Sequence, residues 1–340
     1  MTLGIIGGSG FIGNDFLERY GDSFSSIRFL SRKSRVGLKS NVVQVIGSLD
    51  LYESIEELTL GCDVLVHAGF DHMYSYNVTG IKNVLKACNA NNVKTLVYLS
   101  SYIVYDLKTE GSPVSETSDM SGYGDIYTKE KQRIEKILKT DRSSLLKLVL
   151  QPSIVYGLKG NWSKTFMSLL NSPNLIIPKK GKGTLAAVYV ADVAQAIFKA
   201  AGSKEVESKN KYQPILISNG TPYLWEDLYK MHGILQKRKF ICSASNQNLF
   251  AESTIKNLVI KILYSSIGGF LMRPLLKVLK KKMESSKSKA EQGSNELSLN
   301  GIYRALHFGT PEVNINKAKA VLAFEPKYGL EEALEEMNCK

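Results

Sequence analysis

Over the first two hundred residues, short apolar runs alternate with longer stretches in which apolar residues recur at helical spacing. LGIIGG at residues 3–8 reads as a strand, FIGNDFLERY at 11–20 as a helix and SIRFLS at 26–31 as a second strand. VVQVIG (42–47) makes a third strand, and CDVLVHAG (62–69) a fourth behind a polar helix around Leu51–Leu58. VTGIKNVLKACNANN (78–92) is a helix with an Asn-rich end, KTLVYLSS (94–101) a fifth strand, residues 125–140 a charged helix and LLKLVLQPS (145–153) a sixth strand. These runs are apolar throughout rather than at every second residue, which suits strands covered on both faces. Strand-helix alternation of this kind implies an α/β fold with a doubly wound parallel sheet.

Beyond Pro152 the pattern loosens. Helices are expected over GLKGNWSKTFMSLL, YVADVAQAIFKAA and LWEDLYKMHGIL, a strand over QPILISNG, and two short helices in the tail, parted by Pro326 and Gly329. The implied organisation is a nucleotide-binding domain over 1–155, with return segments near 184–220, and a smaller C-terminal α/β region over 156–183 and 221–340. KKKMESSKSKAEQGSN reads as a polar low-complexity loop.

Charge matters once it is located. The chain of 340 residues has a net charge of +12, and eight of those charges fall between Ile255 and Lys289, where nine basic residues face Glu284 alone. A general nucleic-acid-binding surface is not indicated; a local patch is. Within 255–289, Ile255, Leu258, Val259, Ile262 and Leu263 stand at helical spacing beside lysines. That fits a helix packing its stripe on the core with its lysines in water, or a helix on an anionic membrane surface, or a site attracting a diphosphate-bearing substrate. Four scattered cysteines without CxxC argue for a reducing compartment, so the expected location is cytoplasmic, with peripheral membrane contact as the alternative. Four equally scattered histidines offer no metal spacing, and no window of 18 uncharged apolar residues would span a membrane.

GGSGFIG sets Gly7, Gly10 and Gly13 at GxxGxxG after the first strand, opening a helix at Phe11 and Ile12. Such a turn lets the backbone approach a pyrophosphate at a helix N-terminus, the signature of a Rossmann dinucleotide site. At the end of the second strand, a site reading the 2′-hydroxyl of NAD wants a carboxylate. Here Ser31, Arg32, Lys33 and Arg35 stand instead, donors and cations suited to a 2′-phosphate. NADP is the expected cofactor and NAD the alternative. Ala68 and Gly69, ending the fourth strand, leave room for the cofactor backbone. His67, inside the same apolar run, reads as a core histidine.

Tyr127 and Lys131 lie four apart, on one face of the charged helix. Ser100 and Ser101 end the fifth strand, at the carboxyl edge where ligands bind in such sheets. Together they could move a proton: the tyrosine hydroxyl exchanges it with a carbinol oxygen, the ammonium lowers the tyrosine's pKa and holds the nicotinamide ribose, and the serine orients the substrate.

At this point the chain resembles the extended short-chain dehydrogenase/reductases, the NAD-dependent epimerase/dehydratase superfamily. GGSGFIG, CDVLVHAG, NVTGIKNVLKAC, VYLSSYIVY, YTKEKQRIE, QPSIVYG, VYVADVAQAI and AKAVLAFEPKYGLEEAL follow its motifs nearly end to end. Departures are Ile81 for a threonine, Asp106 for a glycine and Gln151 for the arginine of RPxxVYG. The resemblance implies Ser101 as the catalytic hydroxyl, Tyr127 as acid/base and Lys131 as its partner. It also implies Asn77, Ser100, Pro152 and Val155 near the cofactor, and Tyr102, Ile103 and Tyr123 near the substrate. Homodimers are common in that superfamily. Tyr102 and Ile103 occupy the places of the acidic pair used in 4,6-dehydration, which argues against water elimination. TLAAVYVADVA lacks the Arg–Asp–Phe stretch of nucleotide-sugar epimerases.

The expected activity is therefore NADP-dependent, reversible hydride transfer at a ketone or secondary alcohol of a small-molecule substrate, a nucleotide-linked sugar first. Alternatives are an epimerase retaining its cofactor, a reductase or dehydrogenase of an apolar sterol-like or flavonoid-like alcohol at a membrane surface, and a non-catalytic NADP-binding regulator.

Overall fold

A computed structural model describes residues 1–34, 39–71, 74–107, 113–122, 124–171, 183–203, 211–236, 310 and 312–339. Arg35, Tyr123 and the basic segment 255–289 lie outside the described residues.

Seven parallel strands form the central sheet. They are β1 (Thr2–Ile6), β2 (Ser26–Ser31), β3 (Val42–Ile46), β4 (Val64–His67), β5 (Thr95–Leu99), β6 (Leu146–Pro152) and β10 (Tyr212–Ile217), in the order β10-β6-β5-β4-β1-β2-β3. The order reverses between β1 and β4, which opens a crevice at the carboxyl edge there. Every strand expected before Pro152 is present, and QPILISNG supplies the seventh by pairing with β6.

Alternate residues of each strand face two apolar layers. Leu3 and Ile5, Val64 and Val66, and Val97 and Leu99 pack with Phe16 of α1 (Phe11–Tyr20) and with Val193 and Ile197 of α6 (Val190–Gly202). Ile6, Leu65, Leu96 and Tyr98 turn the other way. They meet Ile55 and Leu58 of α2 (Tyr52–Thr59), Ile81 and Val84 of α3 (Tyr74–Ala90), and Ile134 and Leu138 of α4 (Ile126–Thr140). Each fully buried Val, Leu or Ile contributes about 1.5–3 kcal/mol, which is why the runs are apolar at nearly every position.

A polar interruption comes near the start of β6. Lys147 is fully buried, and its Nζ donates to Asp141 Oδ2 at 2.6 Å and to Asp141 O at 3.1 Å.

Short strands follow Pro152. β7 (Ile154–Tyr156) pairs in parallel with β9 (Ala187–Tyr189), and β8 (Thr184–Leu185) is antiparallel to β11 (Tyr223–Leu224). Two helices, α5 (Asn161–Leu170) and α7 (Trp225–Leu235), share an aromatic seam in which Phe166 lies 5.9 Å from Trp225 and 5.1 Å from Tyr229 between ring centroids. The tail carries α8 (Asn316–Leu322) and α9 (Leu330–Asn338).

Candidate active site

The glycine turn closes β1 onto α1 at the crevice. Gly7 has φ +83°, and a Cβ on it would stand 2.3 Å from the Gly69 nitrogen; one on Gly13 would stand 2.3 Å from the Gly7 oxygen. No side chain fits at either place. Gly10 is the N-cap of α1 and carries no side-chain cap, so the first N–H groups of the helix face the crevice unshielded. Phe11 and Ile12 are half-buried in that first turn. These residues fit the pyrophosphate of a dinucleotide, with Ala68 and Gly69 at the end of β4 forming the adjoining wall.

At the end of β2, Ser31 Oγ donates to Lys33 O at 2.8 Å, and Gln44 Nε2 reaches the same carbonyl at 2.8 Å. The loop is thereby shaped before any ligand arrives, and Gln44 is a contributor that sequence reasoning missed. Arg32 is exposed, with its guanidinium 3.6 Å from the Asp71 carboxylate. Asn77 is buried and clamps the same residue: its Oδ1 accepts from Asp71 N at 2.9 Å while its Nδ2 donates to Asp71 O at 2.8 Å. Asn77 thus serves to hold the chain leaving β4.

The charged helix α4 starts at Asp125, whose Oδ1 accepts from Thr128 N at 3.2 Å. In the first turn, the Tyr127 ring is half-buried and meets Phe70 edge-on, with centroids 5.0 Å apart. Lys131 is buried. Its Nζ donates to Leu99 O at 2.7 Å and lies 3.3 Å from Tyr98 OH, 4.6 Å from the centre of the Phe70 ring and 5.8 Å from that of Tyr127. Burial drives the Lys131 ammonium down to about 7, while Glu135 and Glu130 pull it back up.

Ser101 follows Leu99 by two residues and is half-buried; its Oγ accepts from Ile103 N at 3.4 Å, capping the short turn Tyr102–Val104. Gln132 of α4 secures that turn by donating to Val104 O at 2.9 Å and Met120 O at 2.6 Å. Tyr127, Lys131 and Ser101 are therefore carried by two elements that grip each other at the carboxyl edge.

The other expected residues fall into two groups. The Ser100 hydroxyl is buried and turned to Glu135, and Tyr102 and Ile103 are buried in the core. Pro152 closes β6 and is buried, and Val155 is half-buried in β7.

His67 is buried edge-on against Tyr98, with ring centroids 5.3 Å apart, and burial lowers it to about 3. It is a neutral core residue, as its apolar run implies. Among the described residues, no three His, Cys, Asp or Glu side chains cluster as a metal site requires, and no helix is long and apolar enough to cross a membrane.

A doubly wound sheet whose crevice holds a glycine turn, with YxxxK on the neighbouring helix, defines an extended short-chain dehydrogenase/reductase. The chain belongs to the 3-beta hydroxysteroid dehydrogenase/isomerase family, which it matches over residues 4–233.

Among its relatives, an N-acetyl-alpha-D-glucosaminyl-diphospho-ditrans,octacis-undecaprenol 4-epimerase of Escherichia coli O157:H7 is 27% identical over 45% of this chain and 48% of its own. The chain spans about half the length of that relative. A 2-alkyl-3-oxoalkanoate reductase of Stenotrophomonas maltophilia (strain K279a) is 24% identical over 67% of this chain and 73% of its own. Among solved structures, the UDP-glucose 4-epimerase of Thermus thermophilus, in complex with NAD, superposes with a TM-score of 0.67 at 15% identity, covering 99% of both chains. At that identity the likeness is one of fold.

Proposed function

We propose that the chain is an NADP-dependent oxidoreductase that moves hydride reversibly between cofactor and a ketone or secondary alcohol, with Tyr127 as the acid/base. The observation that carries this reading is the burial of Lys131 one turn below Tyr127, anchored on Leu99 O beside Ser101. A buried lysine fixed between strand end and tyrosine has no structural need for its charge, since a leucine would pack there without a desolvation penalty. Its charge suits a tyrosine that cycles between hydroxyl and oxyanion.

The bound cofactor supplies or accepts the hydride. Tyr127 donates its proton to the carbonyl oxygen in reduction and takes it back in oxidation. Ser101 holds that oxygen by a hydrogen bond, and Lys131 stabilises the tyrosinate and the nearby ribose. Phe70 packs edge-on against the tyrosine ring and fixes its position. Arg32 and Lys33 favour the 2′-phosphate of NADP over NAD.

For the substrate, the names of the family and of the two relatives share a hydrocarbon body: a steroid, an undecaprenol, an alkyl chain. This supports a carbonyl or carbinol on an apolar or lipid-linked carrier, met by a chain whose segment 255–289 joins an apolar stripe to nine basic residues. A nucleotide-linked sugar is the second reading, favoured by the whole-length fold likeness to a UDP-glucose 4-epimerase.

The test is to identify any nucleotide retained by the purified protein, titrate NADPH and NADH, and then assay long-chain β-ketoesters, polyprenyl-diphosphate sugars and UDP-sugars. Net NADPH oxidation with an apolar ketone supports the first reading. Tightly held NAD with interconversion of UDP-sugars and no net redox change supports an epimerase instead.

A further inference from the structure

One buried group in this neighbourhood is left without a role by the reading above. Glu135 is 1% exposed, two turns below Tyr127 on the face that also carries Lys131. Its carboxylate accepts the Ser100 hydroxyl, both approaches of Gln151 Nε2 (3.0 Å to Oε1 and 2.9 Å to Oε2) and the Tyr212 hydroxyl at 2.6 Å. Gln151 is held in turn by Tyr105, whose hydroxyl donates to Oε1 at 2.9 Å. The partners come from the end of β5, β6 and β10, and every one of them is neutral. A carboxylate brought out of water without a cation among its hydrogen-bonded partners is expensive, and several donors reduce that cost without removing it. For mere packing, a glutamine or leucine would serve.

The geometry shows what the charge can do. Helix α4 grips the carboxyl end of β5 at two successive turns: Lys131 Nζ on Leu99 O, and Glu135 on the hydroxyl of Ser100. The next residue is Ser101. We propose that Glu135 is a positioning residue: through Ser100 it locks β5 to α4 so that Ser101 stays opposite Tyr127, and its negative charge favours the ammonium form of Lys131. This rests on the reading of Tyr127, Lys131 and Ser101 given above.

Few other groups can supply that charge. Facing the pair are Glu130 and Tyr127 on α4, Tyr98 on β5, His67 on β4, Tyr105 beyond β5 and Tyr212 on β10. Burial lowers His67 to about 3 and raises Tyr98, Tyr105 and Tyr212 above their ordinary range, so these four are neutral across the neutral pH range. Burial pushes both Glu135 and Glu130 up, while the hydrogen bonds from Ser100, Tyr212 and Gln151 and the Lys131 charge pull Glu135 back down; of the two carboxylates Glu135 acts more strongly on Lys131.

The experiment measures NADPH affinity by fluorescence from about pH 5.5 to about pH 9.5 for the wild type, Glu135→Gln, Ser100→Ala and Lys131→Met. NADH runs in parallel, because it lacks a titrating 2′-phosphate. The wild type should lose affinity as Lys131 deprotonates, and Lys131→Met should be weaker and flat. Glu135→Gln, which keeps the shape and removes the charge, should move the midpoint down by roughly half a pH unit or more at a melting temperature within a few degrees. Ser100→Ala, which breaks the latch and leaves the carboxyl with its Gln151 and Tyr212 donors, should weaken binding severalfold with a smaller midpoint shift than Glu135→Gln. A Glu135→Gln midpoint equal to the wild type's, with Lys131→Met flat, overturns the charge role; Ser100→Ala indistinguishable from the wild type overturns the latch.

If Lys131→Met itself binds like the wild type, the reading of the site has failed, and a urea-denaturation double-mutant cycle between Lys131 and Glu135 decides the charge role alone. Coupling at about pH 6 that vanishes at about pH 9.5 upholds it, and no coupling at the lower pH overturns it.

Discussion

At the scale of single residues, Tyr127 and His67 make opposite demands on their surroundings. Replacing Tyr127 by Phe keeps the ring against Phe70 and removes only the hydroxyl, so turnover should fall by roughly 10²–10⁴-fold, the usual worth of a positioned acid/base. The dissociation constant for NADPH should stay within about twofold. Turnover and titration on the same preparation check this, and a regulator without chemistry would show no change in its own activity. His67 sits neutral in the core with its titration lowered from 6.5 to about 3. Between those pH values the unfolded chain binds a proton that the folded one refuses, so stability is lost as pH falls below 6.5. At about pH 5 the loss is about 2 kcal/mol, and His67→Leu should abolish it in urea titrations compared between about pH 7 and about pH 5. An unchanged pH slope in that variant would show the imidazole to be solvated.

Elements explain why some of the site was readable in the chain and some was not. The glycine turn, the strand ends and YxxxK are local: neighbours in sequence become neighbours in space, and period and spacing suffice to see them. Glu135 lay within a recognised motif, yet its role is set by Ser100, Gln151 and Tyr212, which sit on three different strands or strand ends, and no local pattern joins them. The same holds for Phe70 against Tyr127 and for Asp71 beside Arg32. The β1–α1 turn gives a sharp prediction. Gly13→Ala drives a Cβ to 2.3 Å from the Gly7 oxygen, so the turn must open and nucleotide binding should be lost, read as the absence of an NADPH-induced rise in melting temperature. At the end of β2, Arg32→Ala should weaken NADPH by roughly tenfold or more, the scale of a charge-assisted hydrogen bond, and leave NADH within about twofold. Equal losses for both cofactors would mean that Arg32 does not read the 2′-phosphate.

Across the whole molecule, the doubly wound parallel sheet followed from strand-helix alternation, whereas the way the tail returns did not, because it depends on contacts between residues far apart in the chain. Val114 bridges Val313, with Val114 N donating to Glu312 O at 2.7 Å and Asn314 N to Val114 O at 2.8 Å. Thr310 Oγ1 accepts from Ala186 N at 2.8 Å, and Arg19 of α1 joins Glu336 of α9. At the centre is Asp192, fully buried in the first turn of α6, whose carboxylate accepts Lys327 N at 2.8 Å and Tyr328 N at 3.1 Å. It ties the segment between α8 and α9 to the helix that covers β4, β5 and β6. Asp192→Ala leaves two backbone donors without their acceptor, a loss of about 1–3 kcal/mol for each that remains buried. The expected result is a lower urea midpoint with new proteolytic cleavage between Ala323 and Leu330. NADPH affinity should hold, since neither backbone donor to Asp192 belongs to the glycine turn or to the end of β2. Loss of nucleotide binding together with the tail would instead make the clasp part of the site, and would place the C-terminal segment among the elements that hold the crevice in shape.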